Sequence, residues 1–185
     1  MIIINEPKPF PTIKTERLIL RQLLTADAVI LQQYWSDPAV TEYLTLEPFK
    51  ELQEAVVMIE LLNSLPESNQ GIRWVITSRL EGKVLGTCGF HNYKQEHSRA
   101  EMGYELGQAY WRQGFMTEAL TAILHYGFEK MAYNRIEAFV NVGNIKSTGT
   151  LEKMGFKLDG LLREYEFARG KFVDQYCYSL LKSEY

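Results

Sequence analysis

A chain of 185 residues that is 46% hydrophobic and 23% charged is long enough to bury one full core without disulfides or metals as staples. Its formal net charge of -3 leaves no basic footprint for a nucleic-acid partner or an anionic membrane. No apolar run approaches the ~20 residues of a membrane span. The opening Met1-Ile2-Ile3-Ile4-Asn5 lacks the basic start and long apolar stretch of a signal peptide, so a cytoplasmic location is expected.

Residues 1–14 hold three prolines and are expected to lie as an arm on one domain spanning residues 15–183. Thr15 to Leu23 alternates, with Leu18 and Leu20 on one side and Arg17, Ile19 and Arg21 on the other, which reads as a strand. Thr25 is a plausible cap for a helix that Asp37-Pro38 stops. A second helix fits Lys50 to Asn63, where Leu52, Ala55, Val56, Ile59 and Leu62 share a stripe. The segments GIRWVITSR and KVLGTCGFHNY form a hairpin across Leu80-Glu81-Gly82, and RAEMGYEL adds a third antiparallel strand. Met116 to Met131 is the clearest helix, its apolar stripe formed by Met116, Leu120, Ile123, Leu124, Gly127 and Met131. Arg135 to Asn141 is a strand, Ser147 to Met154 a helix closed by Gly155, and the remainder a hairpin around Ala168 to Lys171.

This order predicts an α+β fold: one domain with a mixed central sheet of about seven strands and four helices. The strand-helix-strand unit from Glu101 to Asn141 is expected to be a right-handed crossover. If its two strands splay, a cleft opens beside the helix start. Exposed strand edges near the C-terminus give a homodimer its physical motive. Cys88 and Cys177 sit in apolar runs and read as reduced core thiols. His91, His97 and His125 have no ligand partners at metal-binding spacing, so no metal is expected.

The stretch GQAYWRQGFMTEAL joins a strand to a helix. The first amides of a helix lack intrahelical acceptors, and the helix dipole adds partial positive charge, so this end suits an anion. Gly114 lets the backbone take positive φ or approach a ligand. Neither GxxxxGK[ST] nor GxGxxG is present, which removes a nucleotide kinase and a dinucleotide fold.

The run resembles the acetyl-CoA pyrophosphate loop of the GNAT superfamily of N-acetyltransferases, Q/R-x-x-G-x-G/A, with Trp111 and Met116 as departures. Those departures match a branch resembling the Rim-type (RimJ/RimL-like) ribosomal-protein N-terminal acetyltransferases. Its Y-W-x-x-G-x-M/A-x-E-A pattern fits Tyr110, Trp111, Gly114, Met116, Glu118 and Ala119. TERLILR, AEMGYEL and NVGNIKSTGTLEKMGF also resemble segments of that branch, so the likeness spans roughly Thr15 to Lys182.

The resemblance implies splayed fourth and fifth strands, with a bulge near Leu106 and Gly107 and the pantetheine arm lying in the gap. It implies that the amides of Gln113, Gly114, Phe115, Met116 and Thr117 face the pyrophosphate. Arg112 either adds charge there or is simply solvated. It implies that Asn144 hydrogen-bonds the pantetheine, although Asn144 also reads as a helix cap. Ser147 is implied to lie near the sulfur. Many relatives carry an acidic tyrosine four residues later, where this chain has Leu151, which leaves Ser147 or a water held by it as the substitute. Glu101 is the candidate general base, or else a solvated edge carboxylate, and Glu105 shares its face of an ideal strand. The Leu106 N–H is the expected donor to the thioester oxygen.

Trp35, Tyr43, Trp74 and Tyr165 are expected to wall the acceptor pocket, with core packing as the competing reading. The expected activity is acetyl transfer from acetyl-CoA to a primary amine: a protein N-terminus, a polyamine, an aminoglycoside or a small amine. The rival reading is a non-catalytic acyl-CoA sensor, because the loop supports cofactor binding in either case.

Overall fold

The computed structural model describes residues 9–185; the first residues of the expected arm lie outside that range. The elements in chain order are β1 (Ile13–Lys14), β2 (Leu18–Arg21), α1 (Ala28–Ser36), α2 (Pro38–Thr41), α3 (Leu52–Ser64), β3 (Ile72–Ser78) and β4 (Val84–Lys94). They continue with β5 (Arg99–Leu106), α4 (Phe115–Glu129), β6 (Arg135–Asn141), α5 (Ile145–Lys153), β7 (Lys157–Ala168) and β8 (Lys171–Leu181). The eight strands form one sheet in the order β1-β2-β3-β4-β5-β6-β8-β7.

Two elements exceed the expected count. The arm itself supplies β1, which pairs with β2, while Trp74 Nε1 donates to Pro11 O at 2.8 Å and Phe10 packs edge-on against the Trp74 ring. The second is α2, a single turn. Asp37 ends α1 as expected, but its carboxylate then accepts the Ala39 N–H and starts a new turn behind Pro38. Thr25 is not the cap of α1. A 3-10 turn over Thr25–Asp27 precedes that helix, and Asp27 takes the Leu24 N–H at 2.8 Å and pairs with Arg21.

Both faces of the sheet are covered. On one, α4 and α5 pack with Trp74, Phe90, Ala100, Met102 and Leu106. On the other, α1 and α3 pack with Leu23, Val75 and Val84. In α4 the buried residues are Ala119, Leu120, Ile123, Leu124, Gly127 and Phe128, at helical spacing. Each large one contributes about 1.5–3 kcal/mol of burial. Gly127 allows the helix to lie against the sheet, since a Cβ there would stand 3.0 Å from Phe90 Cζ and 3.1 Å from Ile136 Cδ1. In α3 only Ala55 and Ile59 are buried, and Leu52 of the expected stripe is exposed at the helix start.

The feature that matters for a site is the seam between β5 and β6. These strands run parallel and share only three residue pairs, Arg99↔Arg135 to Glu101↔Glu137. Beyond Glu101 each strand stays with its antiparallel neighbour: β5 with β4 as far as Gly86↔Leu106, and β6 with β8 as far as Asn141↔Gln175. The expected bulge near Leu106 and Gly107 is absent. Pairing of β4 with β5 is unbroken there, and its register shift lies at the other end, between His91 and Lys94. The gap opens because the two half-sheets follow different partners. Among the described residues no helix is long and apolar enough to cross a membrane.

Candidate active site

The gap continues into a cleft of about 1070 Å³ between the α2 loop, β5, the α4 start and α5. Hydrogen-bond phase decides what β5 offers it. Gly107 N–H donates to Leu85 O at 2.9 Å, so odd-numbered β5 residues spend their backbone groups on β4. Tyr104 and Leu106, beyond the last seam pair, therefore turn theirs toward β6, which has departed. The Leu106 N–H thus points into the gap, and the Leu106 carbonyl accepts Trp111 Nε1 at 2.9 Å. Trp111, a departure from the commoner loop pattern, ties the loop to the end of the strand. Lys146 Nζ sits 4.0 Å over its ring.

The loop then turns sharply. Arg112 and Gly114 adopt positive φ, +59° and +79°. Among the described residues, no acceptor meets the amides of Gln113, Gly114, Phe115, Met116 or Thr117. These free amides and the positive end of a fifteen-residue helix form an anion seat. Arg112 is exposed and lines the cleft with Gly114, Phe115, Met116 and Thr117. The seat is held from the far end of the chain. Glu118 accepts Thr15 Oγ1 at 2.6 Å, Arg17 N at 2.8 Å and Arg17 Nε at 2.6 Å. Arg17 Nη1 also donates to Gln113 O at 3.0 Å, and its guanidinium lies 4.5 Å over the Phe115 ring.

The two faces of β5 carry different chemistry. Glu101 and Glu105 share one. His91 Nε2 lies 2.9 Å from Glu101 Oε1, and Asn92 Nδ2 donates to Glu101 Oε2 at 2.8 Å. Burial pushes the Glu101 carboxyl up, but the bonds from His91 and Asn92 outweigh it and hold the group below its usual range. Glu105 is spent. It is buried in an ion pair with Arg73 and accepts from Thr87 Oγ1 and, at 3.1 Å, from Trp35 Nε1.

On the other face, Tyr104 Oη and Ser147 Oγ are 2.8 Å apart. Burial pushes the Tyr104 phenol up to about 12, against a smaller opposing effect of the Ser147 bond. Asn144 does cap α5, its Oδ1 accepting the Ser147 N–H at 3.2 Å, and it also lines the cleft. Leu151 is fully buried in the core.

Two expected pocket walls are corrected. Trp35 and Trp74 are 2% and 0% exposed, their indole N–H groups bound to Glu105 and Pro11, and neither lines the cleft. Each is a large ring on an inner face, where burial outweighs any pocket role. Tyr43 and Tyr165 do line it, Tyr165 stacked on Phe139 with centroids 5.2 Å apart. Sequence reasoning missed His91 and Tyr104. The pairing His91↔Glu101 across β4 and β5 was the available signal for the first. Burial pushes both thiols up, Cys88 to about 12, which makes neither a ready nucleophile. No group of three metal-ligating side chains occurs among the described residues.

The acetyltransferase (GNAT) domain model matches residues 17–157. The uncharacterized N-acetyltransferase p20 of Bacillus licheniformis is 45% identical over 174 residues, covering 94% of this chain and 98% of its own. The ribosomal protein uS5-alanine N-acetyltransferase of Escherichia coli is 25% identical over 179 residues, covering 92% and 89%. Among solved structures, an acetyltransferase (GNAT family) from Bacillus anthracis aligns with TM-score 0.83 at 26% identity, covering 94% of this chain and 100% of its own.

Proposed function

The chain belongs to the acetyltransferase (GNAT) domain family and is an acetyl-CoA-dependent N-acetyltransferase, and from that premise we propose that it acetylates the N-terminal amine of a protein or peptide by direct transfer. The residues present fit acetyl-CoA. The free amides at the start of α4 suit a pyrophosphate, and the unpaired edge of β5 suits an amide-bearing arm. When bound, acetyl-CoA supplies the acetyl group and a thiol leaving group.

In this reading the chain's own groups divide the work by face. Glu101, on the α1 face, receives the amine proton through one water. Ser147, on the α5 face, lies beside the sulfur, and the Leu106 N–H, in the gap between them, steadies charge on the carbonyl oxygen. The nucleophile then approaches the carbonyl from one side of the sheet and the leaving group departs on the other. Tyr43 and Tyr165 wall the acceptor side.

The observation that carries the choice of acceptor is Glu101 between His91 and Asn92. A carboxylate held below its usual range is a weak base, and it suits an amine that is already partly neutral. An α-amino group, with pKa of about 7.7–8.0, meets that need, whereas a lysine-type amine at about 10.4 is neutral several hundred times less often. The relative that acts on the alanine of ribosomal protein uS5 supports the same class.

The test follows thiol release from acetyl-CoA with peptides bearing a free N-terminal alanine or serine, N-blocked lysine peptides, spermidine and an aminoglycoside. Free N-termini should lead in kcat/KM by about 10²-fold or more near neutral pH. Equal or faster transfer to spermidine or a blocked lysine peptide overturns the assignment.

A further inference from the structure

We propose that Tyr104 is a positioning residue for acetyl transfer: its hydroxyl donates to Ser147 Oγ and so turns the Ser147 hydrogen toward the departing sulfur. This rests on the reading above, which puts the sulfur beside Ser147. It accounts for a position the family resemblance leaves open, because Leu151 occupies the place of the usual acid and is wholly buried. A hydroxyl from the strand, reaching Ser147 from the opposite side, does not need that place.

The geometry is specific. Tyr104 Oη and Ser147 Oγ are 2.8 Å apart, joining β5 to α5 across 43 residues of sequence. The Tyr104 ring packs against the core, which fixes where its hydroxyl points. Among the described residues Ser147 Oγ is the only side-chain partner that the Tyr104 hydroxyl has. Each hydroxyl owns one hydrogen. With negative charge growing on a sulfur beyond Ser147, one direction alone places both hydrogens on acceptors: Tyr104 to Ser147, and Ser147 to sulfur. Aligned hydroxyls also polarise each other, so the Ser147 donor is strengthened by the bond behind it.

Tyr104 stays a phenol throughout. Burial holds it near 12, well above an ordinary thiol at about 8.5, so passing its proton to the sulfur runs uphill. Its part is orientation rather than acid catalysis. As the bond from nitrogen to the carbonyl carbon forms and the carbon–sulfur bond breaks, the electron pair goes to sulfur. The amine proton goes to Glu101 through water, and the thiolate regains a proton from solvent. No proton leaves Tyr104 or Ser147.

The thiol of bound CoA provides the test and needs no acceptor. Its ionisation is followed by ultraviolet thiolate absorbance against pH in the wild type, Tyr104→Phe, Ser147→Ala and the double variant. Tyr104→Phe should raise the bound thiol pKa by about one unit, the worth of one oriented hydrogen bond. Ser147→Ala should raise it at least as far, and the double variant should match Ser147→Ala alone, since Tyr104 acts through Ser147. CoA affinity measured well below the thiol pKa should be equal in the wild type and Tyr104→Phe, which separates orientation from damage to the fold. With a reactive acceptor, Tyr104→Phe should lower kcat about tenfold and leave the KM for acetyl-CoA unchanged. A shift in Ser147→Ala but none in Tyr104→Phe overturns this inference alone. Additive shifts in the double variant overturn it as well. No shift in either single variant removes the sulfur from Ser147 and takes the underlying reading with it.

Discussion

Glu101 and Glu105 are two carboxylates on one face of one strand, and their neighbours give them different fates. Arg73, Thr87 and Trp35 consume Glu105, whereas His91 and Asn92 leave Glu101 ionised at the edge of the cleft. Replacing Glu101 by Gln should lower kcat about 10²-fold or more while the acetyl-CoA Kd from calorimetry stays put. The pH profile adds a check. Because the bonds from His91 and Asn92 hold the Glu101 carboxyl below its usual range, it contributes no limb near neutrality. The limb at about pH 7.7–8.0 belongs to the acceptor amine and should survive in the Gln variant. Leu151 offers the converse test. A Leu151→Tyr change that restores the commoner residue should not raise kcat, and overpacking a filled site should cost about 1–3 kcal/mol in urea denaturation.

At the scale of elements, the start of α4 is positioned by residues from both ends of the motif set. Trp111 bonds the last carbonyl of β5, and Glu118 in the first turn of α4 binds Thr15 and Arg17 before β2. The TERLILR segment therefore serves the cleft without entering it. Burial tends to push the Glu118 carboxyl up, but the Thr15 and Arg17 bonds prevail and lower it. A lowered folded pKa means that this stabilisation is present above the unfolded value of about 4.3 and is lost as pH falls through the folded value. A Glu118→Gln variant should thus be less stable than wild type at neutral pH, with the difference in denaturation midpoint shrinking in acid. Gly114→Ala probes the same loop from within. A φ of +79° costs a residue with Cβ about 1–2 kcal/mol, and the added Cβ would lie 3.3 Å from Arg17 Nη2. Its expected signature is a lower Tm and a weaker acetyl-CoA Kd, with kcat at saturation retained.

The whole molecule is two half-sheets joined by a three-pair seam, with α4 and α5 packed over one side. A ligand that pairs with the free edge of β5 fills the gap that the fold leaves. Acetyl-CoA at about 100 times its Kd should add about 2.7 kcal/mol to stability, roughly 5–10 °C in Tm for a chain of this size. Hydrogen exchange should report the same event locally. The amides of Tyr104 and Leu106, which face the gap, should gain protection on binding, while Gly107, already bonded to Leu85, should change little. Equal protection at all three positions would place the ligand elsewhere.

Local pattern was enough for β5, β6, β7 and β8, whose alternation and bounding turns lie within a few residues of each other. It was enough for the start of α4, where one glycine at a strand-to-helix junction dictates both the turn and the free amides. It was not enough for β1 and α2, two short elements held by Trp74 and Asp37 rather than by periodicity. Side-chain roles divide the same way. That Glu101 and Tyr104 point to opposite faces follows from the period of a strand. Which partner each one meets follows from register and crossover: His91 from β4, Ser147 from α5. The gap itself belongs to neither strand's sequence, because it arises where β5 and β6 keep faith with different antiparallel neighbours. Motif resemblance therefore pointed to the family, and the glycine at the strand-to-helix junction pointed to a helix start suited to an anion. Tertiary pairing alone decided which carboxylate meets Arg73 and which meets His91, which tryptophans are core, and which hydroxyl stands behind Ser147.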